Sequence, residues 1–398
     1  MSMNTAVSGL QAANQDLNTI SNNIANANTV GYKSMNVQFA DVYSATSASG
    51  GVYVSDIQTD FAQGTTLYTS SATDLAISGD GFFIMEDANG QQYYTRAGNF
   101  STDKDGNLVN AQGQKVMGFA VDANGKPIEG QLVPLEVNNA DLPAQATTKA
   151  SIGANLDARE EVIDREDNSF DPDDTASYHS TTTTTLYDSQ GNEQQVTAYY
   201  TKVGENEWDV YYKSGDQQIG PETMVFGSDG KLETPASGDF TLDLDFGNGS
   251  AAMELKMDVS AITQFGNDFS VSSNTQNGFA AGNFYGISIA EDGAIVATYS
   301  NGQSEIQGYV ALATFPNNGG LQAAGNTSYS STMESGDPML GLAGSGKSGT
   351  LTGGALENSN VDMSMELVDM IVAQSAYQAN TKTISTFNEN TRTLMNSI

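Results

Sequence analysis

Residues 363–398 read MSMELVDMIVAQSAYQANTKTISTFNENTRTLMNSI, and the reading of that segment decides the fold. Met363, Met370, Tyr377, Ile384, Thr391 and Ile398 recur every seven residues, and Ala373, Asn380, Phe387 and Leu394 follow members of that row by three. Steps of three and four put these side chains on one face of an α-helix, the pattern of a helix that packs along another helix. The opposite end carries a matching stripe of Met3, Ala6, Leu10, Ala13, Leu17, Ile20, Ile24 and Ala27. Each end is predicted to be a helix about 40–60 Å long at a rise of about 1.5 Å per residue. Asn28 and Gly31 are stop signals for the first helix, and Ser359 followed by Asp362 is the expected capping-box start of the second.

Between the two stripes the period falls to two and Asp/Asn–Gly pairs punctuate the chain. Residues 74–119 string short strands between turns at Asn89-Gly90, Asp105-Gly106 and Gly113, and residues 284–315 repeat the pattern around Asp292-Gly293 and Asn301-Gly302. Residues 180–213 read as a three-stranded meander with turns near Gly191 and Gly204. These are hairpin signals of an all-β region. Segments 31–70 and 316–360, rich in Gly, Ser, Thr and Asn, read as connectors. The fold class expected is a multi-domain chain in which two mainly-β domains are inserted between terminal α-helices that form a coiled-coil-like inner layer.

The non-stripe positions of the first helix are Asn14, Gln15, Asn18, Asn22 and Asn23, and the only charged side chain before Lys33 is Asp16. A helix face turned to water normally carries Lys and Glu. Uncharged polar faces suit packing against further copies of the same chain, and heterologous contacts that do not close into a ring generate a helical assembly. The candidate self-assembly residues are therefore Leu10, Leu17, Ile20, Ile24, Met363, Met370, Tyr377, Ile384, Phe387 and Leu394.

Composition narrows the alternatives. The chain of 398 residues carries 48 Asp and Glu against 15 Lys and Arg, a net charge of −33, which repels nucleic acid and anionic lipid. About half of the acids fall between Asp141 and Asp268, as expected of a solvated outer face. With no cysteine, disulfides and thiolate chemistry are excluded, and the single histidine, His179, reads as an ordinary strand or loop residue. No stretch reads as a membrane span, and MSMNTAVSGLQAANQDL has neither a basic n-region nor an apolar h-region, so if the protein leaves the cytoplasm it does so by a route that does not read a cleaved signal peptide.

Three motifs invite chemistry. GLAGSGKS at 341–348 has the letters of a phosphate-cradling loop, but Pro338 precedes it and Gly-rich sequence follows, so the strand and helix that such a loop needs are missing. Its glycines are expected instead to lead the chain from the β layer into the second helix. DKDGNL at 103–108 resembles the start of a calcium loop yet has Gln114 where a bidentate Glu belongs, and DPDD at 171–174 reads as solvated charge. No catalytic residue, metal site or cofactor is expected.

The residues also carry a resemblance. AVSGLQAANQDLNTISNNIANANTVGYKSMNVQFADV near the start, and ALENSNVDMSMELVDMIVAQSAYQANTKTISTFNENTRTLMNSI at the end, resemble the signatures of the flagellar rod and hook protein family. TDLAISGDGFFIM, YYTRAGNFSTDKDGNLV and GQKVMGF are similar to that family's inner β domain, and the meander around Trp208 resembles the extra β domain of its hook members. The resemblance implies a nested chain: paired helices at 1–30 and 361–398, an extended connector at 31–70, a discontinuous inner β domain at 71–145 and 284–360, and an outer insert at 146–283. It implies a hook subunit that polymerises into a flexible tube transmitting torque from rod to filament, with a distal-rod-like subunit as the alternative. The partners it implies are further copies, the distal rod, hook cap and hook–filament junction proteins, and the type III export apparatus. A secreted β-rich adhesin would leave both helical stripes unexplained.

Overall fold

The computed structural model describes residues 3–42, 50–165 and 169–396; Ile398 of the heptad row lies outside them. The ends are helices α1 (Met3–Ala25, 23 residues) and α2 (Met363–Asn396, 34 residues), and the described residues between them form β-structure joined by turns and two short 3-10 segments. At about 1.5 Å per residue α2 reaches the expected length and α1, at about 35 Å, falls short of it. The cap of α2 is Asp362, whose Oδ1 accepts the N–H groups of Ser364 and Met365 at 2.9 and 3.2 Å; Ser359 instead accepts from Val361 in the preceding turn.

The chain divides into two compact units, one of residues 1–139, 286–298 and 304–398, the other of 140–285 and 299–303. In the first unit, strands Phe82–Glu86, Lys115–Val121 and Ser304–Thr314 pair antiparallel, with Leu312 opposite Phe83, Tyr309 opposite Phe119 and Met85 opposite Val116. Phe83, Met85, Val116, Val310 and Leu312 fill a core on one face, and Phe82, Ile84, Met117, Phe119 and Ala311 fill a core on the other. A sheet covered on both faces has no reason to alternate, which is why FFIM and YVALATF are continuous apolar runs rather than period-two strands.

The second unit is a sandwich of two five-stranded sheets around Trp208, Tyr200, Tyr212, Ile152, Leu242 and Leu255. Its meander continues beyond residue 213 into strands Gln217–Phe226 and Leu232–Thr234. The Trp208 indole donates to Gln264 Oε1 at 3.0 Å, so its polar edge is satisfied at zero exposure.

One five-residue turn recurs through both units. Asp87, Asp103, Asn110, Asp122 and Asp188 each accept, through one side-chain oxygen at 2.8–3.1 Å, the N–H groups two and four residues further on. The fourth position is in each case a glycine at positive φ. DKDGNL is one of these turns, and the carboxylate that would begin a calcium loop is consumed by its own backbone and by Asn107 Nδ2 at 2.9 Å. Asp171 and Asp174 of DPDD likewise bond to backbone N–H groups at 173 and 176.

Two sequence expectations are corrected. Segment 31–70 is not a plain connector: it holds an antiparallel hairpin, β1 (Met35–Asp41) and β2 (Val52–Thr59), which packs along α1. GLAGSGKS is not the exit toward α2 either. It ends strand Met339–Leu342, turns through Gly344 and Gly346 at positive φ, and leads to strand Thr350–Gly353. With a strand where a phosphate loop needs a helix, and with Lys347 exposed, the motif is a turn on the first unit.

Candidate assembly interface

Helices α1 and α2 run antiparallel, with Asn23 opposite Glu366, Gly9 against Asn380 and Met3 and Ala6 beside Ile384 and Phe387. Ala6, Ala12, Ala13, Thr19, Ile20 and Asn23 are the buried positions of α1, and Ala373 is the buried position of α2. Small residues dominate because α1 lies between α2 and the β1–β2 hairpin. Thr5 Oγ1 donates to Gly50 O at 2.7 Å just before β2, and Asn23 bonds Met35 at the start of β1.

Of the candidate self-assembly residues, Ile20 is buried, and Leu10, Leu17, Ile24, Met370 and Ile384 are half-buried. Met363, Tyr377, Phe387 and Leu394 are exposed. A second apolar row that the heptad reading missed, Met365, Val368, Ile371 and Val372, faces away from α1 with exposures of 59–67 %. The signal was present in the sequence as an apolar run, LVDMIVA, too wide for a single seam.

Asn23 organises the base of the pair. At 1 % exposure its Oδ1 accepts from the Tyr32 hydroxyl (3.2 Å) and Met35 N–H (3.0 Å), and its Nδ2 donates to Met35 O and Glu366 Oε1, both at 2.9 Å. All the bonds a buried amide demands are met. Asp16, Glu366 and Asp369 lie within electrostatic reach of one another along the pair. The Asp16 carboxyl is raised by burial and then by Asp369, and Glu366 is raised by burial and by both aspartates against the lowering bond from Asn23.

Beneath the helix pair lies a fully buried ion cluster. Lys33 Nζ meets Glu357 Oε1 at 2.6 Å with neither side chain exposed, and Arg96 meets Glu357 Oε2 at 3.3 Å. Lys33 also donates to Ala62 O (2.6 Å), Arg96 to Gly79 O (2.9 Å), and Gly64 N–H to Glu357 Oε1 (2.9 Å). Burial pulls the Lys33 and Arg96 pKa values down, against the opposing pull of Glu357. Asn360 completes the joint, accepting from Ser34 N–H at 2.8 Å and donating to Asp60 O at 2.9 Å. The chain leaving α1, the loop at 60–64, the strand pair that runs into Arg96 and the segment leading into α2 are thus tied at one carboxylate.

Gly31 makes the close approach possible: its φ is +68°, and a Cβ there would sit 2.4 Å from the backbone nitrogen of Ala97. Its N–H donates to Glu357 O at 2.8 Å. Among the described residues no group of three or more His, Asp or Glu is arranged to hold a metal, and no helix is long and apolar enough to cross a membrane. His179 accepts from Lys202 N–H at Nδ1 (3.2 Å), so Nε2 donates to Glu161 O (2.9 Å), a structural role in the second unit.

Four family models match in succession: Flagella basal body rod protein at 3–33, Flagellar hook protein FlgE/F/G D1 domain at 76–155, Flagellar basal body protein FlaE D2 domain at 155–279, and Flagellar basal body rod FlgEFG protein C-terminal at 352–397. Flagellar hook protein FlgE of Salmonella typhimurium is 39 % identical, with 100 % of both chains covered. Its namesake from Escherichia coli is 37 % identical over the same full coverage. Among solved structures, Helicobacter pylori flagellar hook protein FlgE2 matches with a TM-score of 0.56 at 16 % identity, covering 72 % of this chain and 98 % of that one, a likeness of fold.

Proposed function

This chain belongs to the flagellar hook protein FlgE family, and from that premise we propose that it is a structural subunit of the bacterial flagellar hook, self-assembling into a flexible helical tube that passes torque from rod to filament. The observation that supports self-assembly most directly is α2. Of its 34 residues one is buried, while Met365, Leu367, Val368, Ile371 and Val372 stand exposed in a row on a helix that one chain cannot cover.

In this reading the helix pair forms the inner wall of the tube and the β strands of the first unit surround it. The subunit has no catalytic role. Its partners are further copies, the distal rod, hook cap and hook–filament junction proteins, and the type III apparatus that exports it without a cleaved signal. The self-assembly candidates Leu10, Leu17, Ile20, Ile24, Met363, Met370, Tyr377, Ile384, Phe387 and Leu394 act at contacts between or within helix pairs. A rod-like subunit is the lesser reading, because the matched D2 domain at 155–279 fits a hook member.

Purified full-length chain, concentrated and followed by light scattering and electron microscopy, is expected to form tubes. Val368→Asp with Ile371→Asp is expected to abolish them while leaving monomer circular dichroism unchanged. Persistent monomers of the unmodified chain at high concentration would overturn the proposal.

A further inference from the structure

The charges of the helix pair are sorted along its length. At the base, next to the β unit, stand Asp16, Glu366 and Asp369; toward the free end stand Lys382 and Arg392, with Glu389 between them. Asp369 and Lys382 are thirteen residues apart on one helix, about 20 Å, and Asp369 and Arg392 about 35 Å. Those spans exceed the screening length of about 8 Å at physiological salt, so the two groups cannot neutralise each other within one chain. Among the described residues none of Asp16, Glu366, Asp369, Lys382 and Arg392 forms an ion pair.

Apolar surface is sorted the same way. The base exposes Met365, Val368, Ile371 and Val372, and the free end exposes Phe387 (40 %) and Met395 (74 %). Because Met3 of α1 lies beside Phe387, the nine described residues of α2 past Phe387 extend about 13 Å beyond the described part of α1. Between Met3, Ala6, Lys382, Ile384, Phe387 and Asn390 lies a cleft of about 350 Å³.

We propose that the free end of one helix pair docks on the base of a second copy, head to tail, with Lys382 and Arg392 facing Asp16, Glu366 and Asp369 while Phe387 and Met395 cover the apolar row. The inference deepens the self-assembly reading and rests on it. Sliding a second copy along the helix direction by about 20–35 Å sets one base or the other over the acids, and brings apolar surface onto apolar surface in the same movement. The two patches are different, so the contact is heterologous and repeats without closing. Like-charged stacking in other registers, acid on acid, is disfavoured by the same arrangement.

The test is a charge exchange in the full chain. Asp16→Lys with Asp369→Lys makes a base-inverted variant, and Lys382→Glu with Arg392→Glu an end-inverted one; helicity of each monomer is checked by circular dichroism. Each alone is expected to raise the critical concentration for polymerisation at least tenfold, about 1.4 kcal/mol per contact. An equimolar mixture is expected to return toward the unmodified value, since each variant's free end then matches the other's base. Normal polymerisation of either variant alone, or a mixture no better than its components with both monomers folded, overturns this contact and leaves self-assembly standing. Failure of the unmodified chain to polymerise overturns both.

Discussion

Glu357→Ala is the perturbation that most directly tests the buried joint. The substitution removes the carboxylate bonded to Lys33, Arg96 and the Gly64 N–H, at 2.6, 3.3 and 2.9 Å, and leaves only the longer-range pull of Asp60 on Lys33 and of Asp80 on Arg96. Two cations at near-zero exposure then lose their bonded counter-charge, and breaking a buried pair in this way costs about 3–5 kcal/mol. The orphaned Gly64 N–H falls within that figure rather than adding to it, because neighbours of one carboxylate are not additive. With a urea slope of about 2–3 kcal/mol per molar, the midpoint for the first unit should fall by about 1–2 M. The single tryptophan makes the assay specific. Trp208 is buried in the second unit, so its fluorescence reports that unit, whereas hydrogen exchange at 31–34, 64 and 354–360 reports the joint. The expected result is early loss of protection at the joint with the Trp208 transition unmoved. Lys33→Met combined with Glu357→Ala should recover part of the loss, since one of the two stranded charges is gone. An unfolding free energy within about 0.5 kcal/mol of that of the unmodified chain would refute the reasoning, because it would mean that the carboxylate is dispensable.

Two more perturbations follow from named atoms. Gly31→Ala forces a positive φ on an L residue and drives a Cβ against the Ala97 backbone, so a loss of more than about 2 kcal/mol in the first unit, read by hydrogen exchange at 29–34, is expected. The second unit should weaken in acid in two stages, followed as the Trp208 melting temperature against pH. Burial lowers the His179 pKa, so its contribution is complete above about 6.5 and is lost as pH falls through the folded value; His179→Asn should remove this first stage. Burial alone would raise Asp188, but donors from Asn192, Asn248 and Gln190 outweigh it and hold the carboxyl far below the usual range. Its contribution is present above about pH 4 and lost below that. A melting temperature flat from pH 7 to 3 would contradict both assignments.

The helices were legible because a seven-residue row of apolar side chains has one economical explanation, and the turns because adjacent Asn–Gly and Asp–Gly pairs supply the positive φ that a tight turn needs; that the Asp or Asn three residues before the Gly accepts the turn's N–H groups was not. The cap of α2 was misplaced by three residues because Ser359 and Asp362 are both competent caps, and only the path of the chain through Asn360 decides between them. The β1–β2 hairpin was missed because its strands expose Phe39, Tyr53 and Ile57, so no clean polar–apolar alternation marks them. The joint at Glu357 was invisible for a different reason. Lys33 and Glu357 are 324 residues apart, and nothing local in VGYK or ALEN says that these two charges share a cavity. GLAGSGKS misled about the chain's route because a Gly-rich run signals a turn without saying which two elements it joins.

The position of strand Ser304–Thr314 carries a kinetic consequence. It lies between Ala294–Tyr299 and Lys115–Val121 in the sheet and also pairs with Phe82–Glu86, yet about two hundred residues of chain separate it from the nearer of those last two strands. Sequence-distant pairing makes for slow folding, whereas the second unit draws almost entirely on the continuous stretch 140–285. A chain emerging amino end first would therefore complete its inserted unit while the first sheet still lacked its central strand and Glu357 had yet to meet Lys33. The helix pair would be tied to its body last, when nearly the whole molecule is through.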